Sequence, residues 1–134
     1  FTPRRSAQGI ESSRLAMLLA VLERRTGTSF GSLEVYASVV GGVRLSDPGA
    51  DLGVCLALAS AALDKPVKPQ LAAIGEVGLG GEVRHVNHLE RRVREAARMG
   101  FRQILVPANV KPVEAGHTSL VRVSTVGEAI THAF

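Results

Sequence analysis

The stretch RLSDPGADLGVCLALAS, Arg44 to Ser60, has the layout of an active-site loop feeding a buried helix. A small-residue turn, Asp47-Pro48-Gly49-Ala50, runs into an apolar segment whose first turn carries Asp51. Serine peptidases and many phosphate binders use such a layout to hold a nucleophile or an anion at a helix N-terminus. Here no serine, cysteine, threonine or lysine stands where the reacting group would sit. The loop has the shape of a nucleophile loop without the nucleophile.

Other reactive residues are weighed in the same way. Cys55 lies between Val54 and Leu56 in the most apolar segment, where a cysteine acts as a small inert hydrophobe. His85, His88 and Glu90 are close enough in sequence to suggest a metal site, but no HExxH pattern or further convergent ligand accompanies them. GEVGLGGEV is glycine-rich, yet it lacks the Gly-Lys-Ser/Thr ending of a phosphate loop and leads into a strand, so it reads as a hairpin turn. The strongest electrostatic feature is the run of arginines. On a helix, Arg91, Arg94 and Arg98 fall within about 60° of one another, opposite a face of Leu89, Val93, Ala96 and Ala97. Arg92 lies to one side, and Arg84 and Arg102 flank the helix. Residues 82–102 carry six arginines against three glutamates, +3 of the chain's total +4. Such a stripe suits a phosphate backbone, giving affinity without reading sequence; a solvated face neutralised by i,i+4 partners is the plainer reading. Arg4 and Arg5 form a smaller cluster that reads as a disordered basic arm.

The elements that position these residues follow from periodicity. Ser12–Arg25 places Leu15, Leu18, Leu19 and Leu22 on one helical face, and Gly27 follows as a stop. Residues 33–40 read as a strand interrupted by Gly41-Gly42, and 50–63 as a helix apolar nearly all round, hence buried. LAAIGEVGLGGEVRHV reads as two strands joined at Leu79-Gly80-Gly81-Glu82. Asn87 or His88 caps a helix running to Met99 and closed by Gly100. QILVP and SLVRVS are strands, and Thr125 to Glu128 is a capping box for a last helix. Helices alternate with strands, giving α/β layers whose sheet is partly antiparallel.

Composition sets the frame. The 134 residues make a single domain with a real core, and the 46% hydrophobic content fits a packed fold. Aromatics at 4%, with no Trp, argue against base-stacking platforms. A charge of +4 and a pI near 10.0 favour a polyanionic partner. One cysteine excludes an intrachain disulfide and a cysteine zinc cluster, and no signal-peptide or membrane-span pattern is present. The opening Phe1 and TPRRS point to a fragment of something longer.

Three stretches, in order, resemble a known family: RLAMLLAVLERR, VVGGVRLSDPGADLGVCLALASAALDKPV and GEVGLGGEVRHVNHLERRVREAARMGFRQILVPANV. They resemble the C-terminal Lon-protease-like domain of the bacterial DNA-repair family RadA, also called Sms, over essentially the whole chain. The resemblance implies a mixed sheet packed with helices, an α/β (α+β) fold of the ribosomal-protein-S5 domain-2 type. Lon peptidases attack with a serine in a small-residue loop and use a lysine as general base. Anchored on Asp64-Lys65-Pro66-Val67, the serine position falls on Gly49, with Ala50 the neighbouring choice; counted from Gly75-Glu76, the lysine position falls on Glu90. Neither glycine nor alanine is a nucleophile, and a carboxylate at 90 has no hydroxyl to activate. Ser46, the nearest hydroxyl, stands three residues early. The resemblance therefore implies a degenerate peptidase site with no cofactor or metal in this chain. In the parent it implies a zinc finger and a RecA-like ATPase using ATP and magnesium, in a hexameric ring that drives branch migration. Expected partners are duplex or branched DNA, further copies of the chain and a RecA-type recombinase, in the bacterial cytoplasm by the nucleoid and away from membranes. Arg91, Arg94 and Arg98, with Arg84, Arg92 and Arg102, are the expected DNA contacts, although acidic groups of an adjacent protomer compete for the same residues. The family's domain also begins a strand or so before PRR, so the first strand is expected to be missing here.

Overall fold

The computed structural model describes residues 2–134. Its elements are β1 (Arg5–Gln8), α1 (Ser12–Thr26), β2 (Val35–Ser38), α2 (Asp51–Leu63), β3 (Leu71–Ala73), β4 (Glu76–Val77), β5 (Val83–Arg84), α3 (Leu89–Arg98), β6 (Gln103–Pro107), β7 (Ser119–Val123) and α4 (Val126–Ala133). β1 and β2 pair in parallel, β3-β6-β7 form a parallel sheet, and β4 and β5 form an antiparallel hairpin. No helix among the described residues is long and apolar enough to cross a membrane.

Strand periodicity explains the layers. Successive residues of β6 point to opposite faces. Leu105 joins the core built by α1, α2 and α4, whereas Ile104 and Val106 join a second core with Leu89 and Val93 of α3. β6 is buried on both faces, as a strand flanked by two parallel neighbours and covered by helices should be. On α1, Leu15, Leu18, Leu19 and Leu22 are all buried, each contributing on the order of 1.5–3 kcal/mol. Gly27 ends that helix at φ 72, and Thr125 caps α4 by accepting from the Glu128 amide at 3.1 Å.

Several expectations are corrected. The stretch 71–86 holds three strands: β3 leaves the hairpin to pair with β6, and only β4 and β5 flank the glycine turn. The strand expected over 33–40 shortens to Val35–Ser38, because Gly41 and Gly42 take positive φ in a 3-10 turn from Val40. The basic arm is ordered: Arg5 opens β1, and its guanidinium donates to the carbonyls of Leu33 and, at 3.0 Å, Phe30. α2 is not buried all round. Leu52, Cys55, Leu56 and Ala59 are buried, but Ala57 and Ala61 face an apolar groove of about 750 Å³ between β2 and β3, which are not hydrogen-bonded to each other. Alanines are too small to close that gap.

Candidate functional site

Around the loop that enters α2, backbone geometry is fixed from three sides. The Asp47 carboxylate accepts from the Gly49 amide at 2.9 Å, ending the extended segment and starting a 3-10 turn, Pro48–Ala50. The Gly49 carbonyl accepts from the Gly75 amide at 3.0 Å, and the Leu52 amide donates to the Gly75 carbonyl at 3.1 Å. Gly75 itself is pressed against β5, where a Cβ would lie 2.6 Å from Val83 Cγ1.

Arg92 reaches this loop from α3. Its Nη1 meets Asp47 Oδ2 at 2.5 Å while its Nε donates to the Asn87 carbonyl at 2.9 Å. Gly49 is buried beneath it, and a Cβ at that position would lie 2.5 Å from Arg92 Nη1. A side chain at 49 and the guanidinium in its present place therefore exclude each other. The Arg92 guanidinium, with the Gly49 amide, holds the Asp47 carboxyl below its ordinary range. Glu90, at the expected lysine position, is exposed on the outer side of α3 and accepts from Arg94 Nη2 at 3.0 Å. Ala50 is half-buried and Ser46 exposed. Both line a hollow of about 320 Å³ beside Arg14, Arg44, Asp51 and Glu76, and among the described residues no lysine or histidine lines it.

Sequence reasoning missed what lies under this hollow. Asp51, 3% exposed, accepts from both Nε (2.9 Å) and Nη2 of Arg14 and from the Val77 amide at 3.1 Å, joining α1, α2 and β4. Glu76 stands 3.6 Å from the same guanidinium. Donating to Asp51 raises the Arg14 pKa. An aspartate in the first turn of an apolar helix signalled that a partner was needed, but nothing local said which arginine. Cys55 is fully buried, and burial pushes its thiol up to about 12, so it is no nucleophile at neutral pH.

The arginine stripe is placed as its periodicity implies. Leu89 and Val93 are buried, while Arg91, Arg94 and Arg98 are exposed. Arg94 pairs with Glu90 at 3.0 Å, Arg98 with Glu95 at 2.5 Å and Arg84 with Glu82 at 3.1 Å. Arg92 is turned into the loop and stands apart from the other five. Among the described residues Arg91 and Arg102 make no ion pair. His88 sits at the helix start at φ 59 without capping it. No group of three or more His, Cys, Asp and Glu is gathered for a metal among the described residues.

Known proteins are similar to this sequence. The family model for the Lon protease (S16) C-terminal proteolytic domain matches residues 25–126, from the end of α1 to the start of α4. The chain belongs to that family. It is also similar to the DNA repair protein RadA of Synechocystis (40% identity over 98% of this chain), Mycobacterium tuberculosis (45% over 98%) and Bacillus subtilis (46% over 79%). The chain spans about a quarter of the length of these relatives: 26%, 27% and 23%. The resemblance to the Lon-like domain of RadA and the α/β fold expected from it both hold.

Proposed function

We propose that this Lon-type domain is non-catalytic and serves a RadA-type DNA repair ATPase as a scaffold and a contact surface for duplex DNA. The observation that carries the reading is the contrast between the two sides of α3. Inward, Arg92 takes the space a nucleophilic side chain at 49 would need; outward, Arg91, Arg94 and Arg98 stand exposed. Removing both members of a serine–lysine dyad leaves binding and little chemistry, and exposed guanidinium groups suit phosphate oxygens. The relatives' name, DNA repair protein, supports a nucleic-acid partner. In the parent, ATP, magnesium and zinc belong to other domains, and the ring is hexameric, acts in branch migration with a RecA-type recombinase and works in the cytoplasm.

A second reading, assembly alone, is favoured by the apolar groove and by the exposed Leu33, Tyr36 and Val40 beside it. Fluorescence anisotropy of a labelled duplex, read beside light scattering, separates the two. Arg91→Ala/Arg94→Ala/Arg98→Ala should weaken duplex binding at least tenfold at low salt with the mass unchanged. If the variant instead loses its assembly while duplex binding is unaffected, the scaffold reading stands alone.

A further inference from the structure

Two hollows meet at Arg94 on the outer side of α3. The first, of about 590 Å³, is lined by His85, His88, Arg91, Arg94, Asn109 and Lys111. The second, of about 580 Å³, is lined by Arg94, Arg98, Arg102 and His117, with Glu114. The far wall of both is the connection between β6 and β7, residues 108–118. Because they share Arg94, the hollows form one groove between helix and loop. The loop wall is held in place from the sheet. Arg122 of β7 donates to the carbonyls of Val110 and, at 3.2 Å, Ala108, and the neighbouring Lys111 is left exposed.

Charge and shape both point to one kind of occupant. Arg91, Arg94, Arg98, Arg102 and Lys111 stand against Glu90, Glu95 and Glu114, and Glu90 and Glu95 are already held by Arg94 and Arg98. Arg91, Arg102 and Lys111 make no ion pair among the described residues. From Arg91 to Arg98 the helix advances about 10 Å at 1.5 Å per residue, long enough to reach two neighbouring phosphates of one strand. Phe101 is the lone Phe, Tyr or Trp lining the groove and is half-buried, so no large ring is offered as a platform for stacked bases. A backbone fits and a base reader does not.

We propose that this groove seats consecutive phosphates of one nucleic-acid strand, gripped by α3 on one side and by Lys111 and His117 of the β6–β7 loop on the other. The inference rests on the reading that the domain contacts DNA, and it adds the loop wall to that contact. His85 and His88, whose spacing suggested metal ligands, line the phosphate seat instead.

The test is duplex anisotropy across a salt series for wild type, Lys111→Ala/His117→Ala and Arg91→Ala/Arg98→Ala. Amide NMR shifts of residues 108–118 are followed in wild type as an unlabelled duplex is added. Loop-wall substitution should weaken binding several-fold and lower the salt slope by about 0.9 for the one lysine removed, and the loop amides should shift. If only the helix variant weakens binding and the loop amides stay still, the groove is overturned while the DNA-contact reading survives. If wild type itself fails to bind, both fall.

Discussion

Arg14 meets Asp51 between two helices, where the carboxylate is 3% exposed; Arg94 meets Glu90 on the outer turn of α3, where both side chains are more than half exposed, at 59% and 51%. The chemistry is the same and the surroundings are not. In the first pair, three donors converge on one buried carboxylate, so losing Arg14, itself a third exposed, would leave the Asp51 charge buried without its cation. In the second, water and salt screen the attraction, and the pair contributes about 0–1 kcal/mol. The buried pair fixes the fold. The exposed pairs keep guanidinium groups extended, and a phosphate can take them over at little cost.

That contrast can be broken by substitution. Asp51→Ala should cost about 1–3 kcal/mol in urea unfolding, since it leaves the buried Val77 amide unsatisfied while Arg14, a third exposed, keeps water and Glu76; a loss of no more than a few tenths of a kcal/mol would make the two kinds of pair alike. Gly49→Ser tests the side of α3 that faces inward. The new side chain must displace Arg92, so about 1 kcal/mol should be lost in wild type and clearly less in an Arg92→Ala background. Equal losses in both backgrounds would mean the two positions do not compete. The double variant should still fail to react with a serine-directed fluorophosphonate.

Acid sharpens the comparison at an intermediate exposure. Asp47 titrates below its ordinary range because of Arg92 and the Gly49 amide, so its folded pKa is the lower one. The contribution of the Asp47–Arg92 latch is then complete above about pH 4 and disappears as pH falls through the folded value. With Asp47 half exposed, it should amount to a few tenths of a kcal/mol. Asp47→Asn should remove that part of the acid dependence, and an unchanged curve would place the latch among the inert surface pairs. Smallest of all, single alanine substitutions at Arg94 and Arg98 should leave the urea midpoint indistinguishable from wild type.

What the sequence made legible was local. The Leu15-18-19-22 face, the Gly27 stop, the Thr125 cap and the outward stripe on α3 each depend on residues within a turn or two of one another. The partner of β3 did not, because the apolar run through 71–86 looks the same whether it folds back or pairs with a strand about 30 residues on. α2 was read as buried because its composition is apolar, yet the composition of a helix does not say whether its neighbours reach every face. Within the site, the empty nucleophile position could be read from Gly49. Its occupant could not: Arg92 and Asp47 are 45 residues apart, and Arg14 and Asp51 are 37. Only the folded chain pairs them.

The most direct test of the outward face is the slope of log Kobs against log salt for a short duplex, measured for wild type and for Arg91→Ala/Arg94→Ala/Arg98→Ala at equal stability. A slope that falls by about 0.9 for each phosphate the variant no longer neutralises is the expected result. Identical slopes and affinities in two equally folded proteins would contradict the account, leaving the arginines of α3 as a solvated surface.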